Sequence, residues 1–192
     1  AAHGDRALDD VAGLLDGTWE IEGLSVDQDL RWSLVTSLAA AGRAGSRIED
    51  ELAGDATISG QEHAAGARAA RPDATAKAEA WELAVERTDV PNETARSIVF
   101  SFMRQGQEEV LAPYVDKYLE AAETLWDHLG THRASTVLNY IFPSPLASTA
   151  LVEKVDAWLE RTAAPAAAQR YVLEGRADVL RALAAQERDA RR

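Results

Sequence analysis

Apolar residues recur three and four positions apart along almost the whole chain, and that period constrains the fold more than any other feature. A stripe with this spacing lies on one side of a helix, so each segment must bury that side against another element. Residues 28–41 place Leu30, Leu34, Leu38 and Ala41 on one face. Residues 113–129 place Val115, Tyr118, Ala122, Leu125 and Leu129 on another, and Leu151, Val155, Trp158 and Leu159 form a third. Leu173, Ala177, Leu180 and Ala184 form a fourth stripe near the end. Strand signals are weak. Ile98-Val99-Phe100 sits inside a helical pattern, and no Asn-Gly or Asp-Gly turn joins two alternating runs. The alternating piece Thr18-Trp19-Glu20-Ile21-Glu22-Gly23 reads as an extended linker.

Stop and start signals divide the pattern. Ser25 and Gln28 have capping-box spacing before the first stripe, and Gly42 can end that helix. Pro113 suits a first helical turn, and Ser144-Pro145 reads as an N-cap and first residue. Other glycines read as punctuation between helices. The predicted helices are 5–16, 27–41, 46–54, 57–70, 73–87, 91–104, 107–112, 113–129, 131–141, 145–161 and 165–188. Loops this short make consecutive helices antiparallel neighbours. Helix pairs then recur roughly every 35–45 residues, with Trp32, Trp81, Trp126 and Trp158 falling about one per pair. The predicted fold is all-α: an α-solenoid of antiparallel pairs, of the HEAT or armadillo kind, with about ten helices. Residues 1–24 are expected to be an N-terminal helix and linker packed on a repeat array of residues 25–192. A helical bundle is the alternative that periodicity leaves open.

Charge and composition exclude several functions. Thirty-two acidic residues against twenty basic ones give a net charge of −12, which repels a phosphate backbone, so no nucleic-acid partner is expected. Cysteine is absent, which removes disulfides, thiolate zinc sites and thiol nucleophiles together. No apolar run reaches membrane-spanning length and no secretory signal is visible, so the expectation is a cytoplasmic protein without a membrane partner. Residue 1 is Ala and the single methionine is Met103, which points to a piece of a longer protein.

Candidate chemistry fails on spacing. Glu62-His63 has the look of half a zinc-peptidase helix, but that site needs a second histidine four residues on, where Ala67 stands. His128 and His132 have the spacing, yet Leu129 replaces the required glutamate and Gly130-Thr131 reads as a helix end. There is no nucleophile elbow, no P-loop and no dinucleotide-binding glycine motif. The carboxylates, Glu49-Asp50-Glu51 among them, read as solvated faces and i, i+4 partners of arginine. No catalytic residue, metal ligand or cofactor site is expected in this chain. Trp32, Trp81, Trp126, Trp158 and Tyr118 read as core. Tyr140 and Phe142, at a helix end, are the candidates for contact with a peptide.

Longer stretches carry a resemblance. LLDGTWEIEGLSVDQDLRWSLVTSLAAAGRA (14–44), GQEHAAGARAARPDATAKAEAWELAV (60–85), LAPYVDKYLEAAETLW (111–126), YIFPSPLASTALVEKVDAWL (140–159) and RYVLEGRADVLRALAAQERD (170–189) resemble the C-terminal helical domain of aminopeptidase N family zinc metallopeptidases, actinobacterial members most closely. The family's HExxH helix and GxMEN loop do not occur here, so no catalytic residue carries over. The resemblance implies a non-catalytic domain that packs against the catalytic domain of the same polypeptide, encloses its zinc site, and gates or binds peptide substrates. Two other readings stay open: a free-standing α-solenoid scaffold that binds a protein partner, and a small metal-binding helical enzyme using His128 and His132.

Overall fold

Four of the helices open on a short polar side chain that takes a free backbone N–H. Asp27 accepts from the Leu30 N–H at 2.9 Å, Thr57 from Gly60 at 3.0 Å, Asp73 from Ala76 at 2.8 Å and Ser148 from Leu151 at 3.2 Å. The computed structural model describes residues 4–191, and among them are ten α-helices and no strand. In order they are α1 (Asp5–Asp16), α2 (Gln28–Ala40), α3 (Arg47–Gly54), α4 (Ile58–Ala69), α5 (Ala74–Trp81), α6 (Asn92–Phe102), α7 (Glu108–Leu111), α8 (Tyr114–Tyr140), α9 (Thr149–Arg161) and α10 (Ala166–Ala190). The all-α expectation holds. Residues 1–3 of the expected N-terminal unit, and residue 192, lie outside the described residues.

Several boundaries differ from the sequence reading. The cap of α2 is Asp27 rather than Ser25, and Gln28 reaches across to Glu51 instead, at 2.7 Å. Ser144-Pro145 opens only a single 3₁₀ turn, and α9 starts four residues later behind Ser148. The predicted helix 73–87 is α-helical to Trp81 and then widens into a π turn over Glu82–Glu86. The predicted break near Gly130 is real. Its φ of 72° and ψ of 165° leave the helical region and divide α8 into 114–129 and 131–140.

The helices pack as two layers. Each even-numbered helix touches the next, α2 on α4, α4 on α6, α6 on α8 and α8 on α10. The odd ones lie against them, α1 on α2, α3 on α2 and α4, α5 on α4 and α6, and α9 on α10. One core cluster gathers Trp32, Leu34, Val35, Leu38, Ile48 and Ala67 from the first four helices. A larger one gathers Trp81, Ile98, Phe102, Tyr118, Leu138, Trp158 and Val172 from the rest. Of the four tryptophans read as core, Trp126 is the one only partly buried, stacked against Tyr171 with centroids 6.4 Å apart. The buried edge of α10 is Val172, Gly175 and Val179, one position before the predicted stripe; Leu173 and Leu180 face outward.

Glycines inside helices do more than punctuate. A Cβ on Gly66 would lie 2.5 Å from Ser97 Oγ and 3.0 Å from its carbonyl oxygen, so only glycine lets α4 and α6 approach this closely. Gly175 meets the Phe142 ring in the same way.

Three helix ends share one pole. The Lys77 ammonium, fully buried, donates to the carbonyls of Ala69 at 2.8 Å and Phe102 at 2.6 Å. Gln107 donates to Ala40 and Ala70, each at 2.8 Å. The C-terminal ends of α2, α4 and α6 therefore lie together, and these three helices run parallel. A cation there meets the negative ends of the α4 and α6 dipoles and satisfies carbonyls that have no intrahelical partner. No carboxylate ion-pairs with Lys77 among the described residues.

Two measurements follow from this packing. Burial, reinforced by Arg104 and opposed by Asp73, pulls the Lys77 pKa from 10.5 down to about 7. Between those values the unfolded chain binds a proton that the folded chain releases, so stability should rise with pH. Urea unfolding of the native chain should show a gain of about 1 to 3 kcal/mol between about pH 7 and pH 9.5, and Lys77→Met should lack it. Equal pH profiles for the two would contradict the placement of Lys77. Gly175→Ala should lower the melting temperature, because overpacking against Phe142 costs about 1–3 kcal/mol and exceeds a helix-propensity gain of about 1. A rise in melting temperature would show that Phe142 yields freely.

Candidate functional site

The sequence candidates separate on the folded chain. Tyr140 is half exposed and makes an edge contact with exposed Phe100 of α6, centroids 4.4 Å apart. The Arg96 guanidinium stands 5.0 Å from the centroid of the Phe100 ring. Phe142 points the opposite way. It is 4% exposed, packs edge-on against Tyr118 at 5.4 Å, and abuts Gly175. Ile141, Phe142 and Pro143 all turn inward, which holds Tyr140 at the surface as the last residue of α8. The outer part of this pair is an aromatic platform with one cation beside it.

The histidines do not converge. His63 stacks on Trp32, centroids 5.8 Å apart and planes 19° apart, while the Trp32 indole donates to Asp55 at 2.8 Å. The Glu62-His63 pair thus belongs to the packing of α4 on α2. His128 places its ring nitrogens 3.0 Å from the Thr124 carbonyl and 3.2 Å from that of Val85. His132 lies beyond the Gly130 break, beside a small recess lined by Asn92 and Arg96. No group of three or more His, Asp or Glu that could hold a metal ion occurs among the described residues.

Of the open cavities on the surface, two are lined in part by aromatic side chains. One, of about 500 Å³, lies between the π turn and α8 and is lined by Trp81, Glu86, Lys117, Glu120 and His128. The Lys117 ammonium sits over the rings of Tyr114 at 5.1 Å and Trp81 at 6.0 Å, which fixes a cation above an aromatic floor. The other, of about 550 Å³, lies along the segment after α1 and includes Trp19, Glu20, Ile21 and Leu24 in its lining.

Buried polar groups account for much of the electrostatics, and sequence reading missed them. Arg133 is 6% exposed and donates to the carbonyls of Leu83, Ala84 and Val90 at 2.6–3.2 Å, closing the far end of the π turn. Burial lowers its pKa, and Asp89 opposes that. Glu51, 8% exposed, receives a two-pronged grip from Arg31, with its closest bond at 2.7 Å, and the bond from Gln28. These bonds hold its carboxyl below the usual range against the cost of burial. Glu49 pairs with Arg68 of α4 at 2.7 Å. Glu49 and Glu51 therefore join helices, while Asp50 accepts locally from the Ser46 hydroxyl at 2.7 Å. A signal for Lys77 and Arg133 was present. Lys77 lies at helical spacing from Ala80, Trp81 and Ala84, and Arg133 lies four residues before Val137, each inside an apolar stripe.

No helix among the described residues is long and apolar enough to cross a membrane. The fold and surface can be set beside known proteins. The model of the ERAP1-like C-terminal domain matches residues 1–181. The chain is 43% identical over 190 residues to a protein described as aminopeptidase N from Streptomyces lividans, covering 98% of this chain and 22% of that protein. The chain thus spans about a fifth of the length of the relative it matches. A match over nearly every residue, on an all-α fold, places the chain in one family: it belongs to the ERAP1-like C-terminal domains.

Proposed function

We propose that this chain is the non-catalytic wall of a zinc aminopeptidase that releases N-terminal residues from peptides. The observation that carries the reading is 43% identity over 98% of the chain to an aminopeptidase N of which the matched part is only 22%. In this reading the zinc and the hydrolytic groups belong to the catalytic domain of the same polypeptide, and this chain supplies neither. Residues 1–24 lead onto the array and residues 25–192 form it. The array curves over the active site as a bowl of antiparallel helix pairs and admits short, unfolded peptides. A layered helical array suits that task, because it offers a broad surface without needing a closed core. Enclosure excludes folded proteins and bulk water from the hydrolytic site. The enzyme works in the cytoplasm, where a cysteine-free chain forgoes nothing. A free-standing scaffold has no observation of its own in its favour.

Peptide contact falls to Tyr140, with Phe100 and Arg96 beside it. An aromatic face can stack on a peptide bond or side chain, and the guanidinium can meet a carboxylate. Phe142 serves the contact from inside by anchoring the turn that presents Tyr140. In the full-length enzyme, Tyr140→Ala should lower kcat/KM for peptides long enough to reach it by roughly 3- to 10-fold and leave a single aminoacyl amide unchanged. Loss of equal size on both substrates, or on neither, would remove Tyr140 from peptide binding.

A further inference from the structure

Ten consecutive residues, 16–25, are all exposed. They follow the end of α1 and include three large apolar side chains, Trp19, Ile21 and Leu24, at 42–44% exposure. The segment holds no regular structure, yet its shape is defined. Gly17, at φ 71°, ends α1, and the Thr18 and Trp19 N–H groups both return to the Gly13 carbonyl at 2.9 and 3.1 Å. The Leu24 N–H returns to Ile21 at 3.0 Å across Gly23, whose φ is 80°, as a tight turn with glycine at its third place requires. Within this defined shape the three apolar side chains each keep more than two-fifths of their surface open to solvent.

Charge distinguishes this surface from the rest of the molecule. Residues 1–30 hold eight Asp and Glu against a single Arg, so they carry −7 of the chain's −12. Asp5, Asp9 and Asp16 are taken by Arg43 and Arg47. Glu20 and Glu22, which alternate with Trp19 and Ile21, have no ion-pair partner among the described residues. An apolar patch rimmed by unpaired carboxylates has the chemistry of a docking surface for a basic, partly apolar partner. The other outward apolar row, Leu173 and Leu180 on α10, lies among Arg170, Arg176 and Arg181 and shows no such imbalance.

We propose that residues 16–25 dock against a basic, apolar surface on the part of the polypeptide that precedes this chain. The matched family is a C-terminal domain, and the relative extends over more than four times the matched length. That preceding part would enter at residue 1. The twelve residues of α1 span roughly 18 Å, so the tether keeps the partner near the patch at high effective concentration. A second copy of this chain is a poor occupant, because a two-fold contact would set the same carboxylates against each other. The proposal rests on the chain being one domain of a longer enzyme, but not on peptide contact at Tyr140.

Photocrosslinking in the full-length enzyme tests it without a substrate. With p-benzoylphenylalanine in place of Trp19, and separately in place of Ile21, the crosslinked peptide should come from the preceding part and contain Arg or Lys. Adding Glu20→Lys and Glu22→Lys should cut the yield by about threefold or more at low salt, and high salt should weaken it likewise. Three outcomes would overturn the proposal: crosslinks confined to residues 1–192, crosslinks joining two copies, or a yield untouched by charge reversal. None of these bears on peptide kinetics at Tyr140, so the two readings fail separately.

Discussion

The pole where α2, α4 and α6 end is the constraint on which the arrangement depends. A helix leaves its last carbonyls without partners, and three helices ending side by side concentrate that deficit. Lys77 and Gln107 answer it from two other elements, α5 and the turn before α7. Gln107 touches the ends of α2 and α4, and Lys77 those of α4 and α6, so the two side chains fix the order of three parallel helices. They also join the two core clusters, which share α4 as their boundary. The Gln107 carbonyl oxygen is itself buried and has no hydrogen-bond partner among the described residues, a cost set against the two bonds its amide makes.

The second half of the array is held by different means. Arg133 reaches from the far half of α8 to three carbonyls around the π turn, while Tyr118 donates to the Leu138 carbonyl at 2.8 Å and links the two halves of α8 across Gly130. Close approach comes from glycines under aromatic or polar groups, Gly66 beneath Ser97 and Gly175 beneath Phe142. The long charged side chains thus stabilise helix ends and turns, and little of the chain's ionic chemistry converges on one point. That distribution is compatible with the wall proposed for this chain.

Helix existence was legible from period alone, since an apolar stripe permits one solution. So was the break between His128 and His132, because Gly130 leaves the helical region there. The reading erred where neighbours decide. Ser25 and Asp27 are both good caps, and the turn that ends at Leu24 favours the later one. The α10 stripe slipped by one residue because Leu173 and Leu180 are more apolar than Gly175, yet Gly175 is what Phe142 needs. Lys77 and Arg133 look like solvated charges in any composition count. Only their place inside apolar stripes marks them as buried. Tyr140 and Phe142 lie two residues apart in sequence, but the turn at Ile141 sends one ring outward and the other into the core, a difference their spacing does not show.

The central claim is that the chemistry lies outside these 192 residues and that they shape access to it. Metal analysis of the purified chain, paired with release of product from an aminoacyl amide, tests it most directly. The account predicts zinc at background level and no release above the uncatalysed rate. Stoichiometric zinc, with hydrolysis that a chelator abolishes, would contradict it.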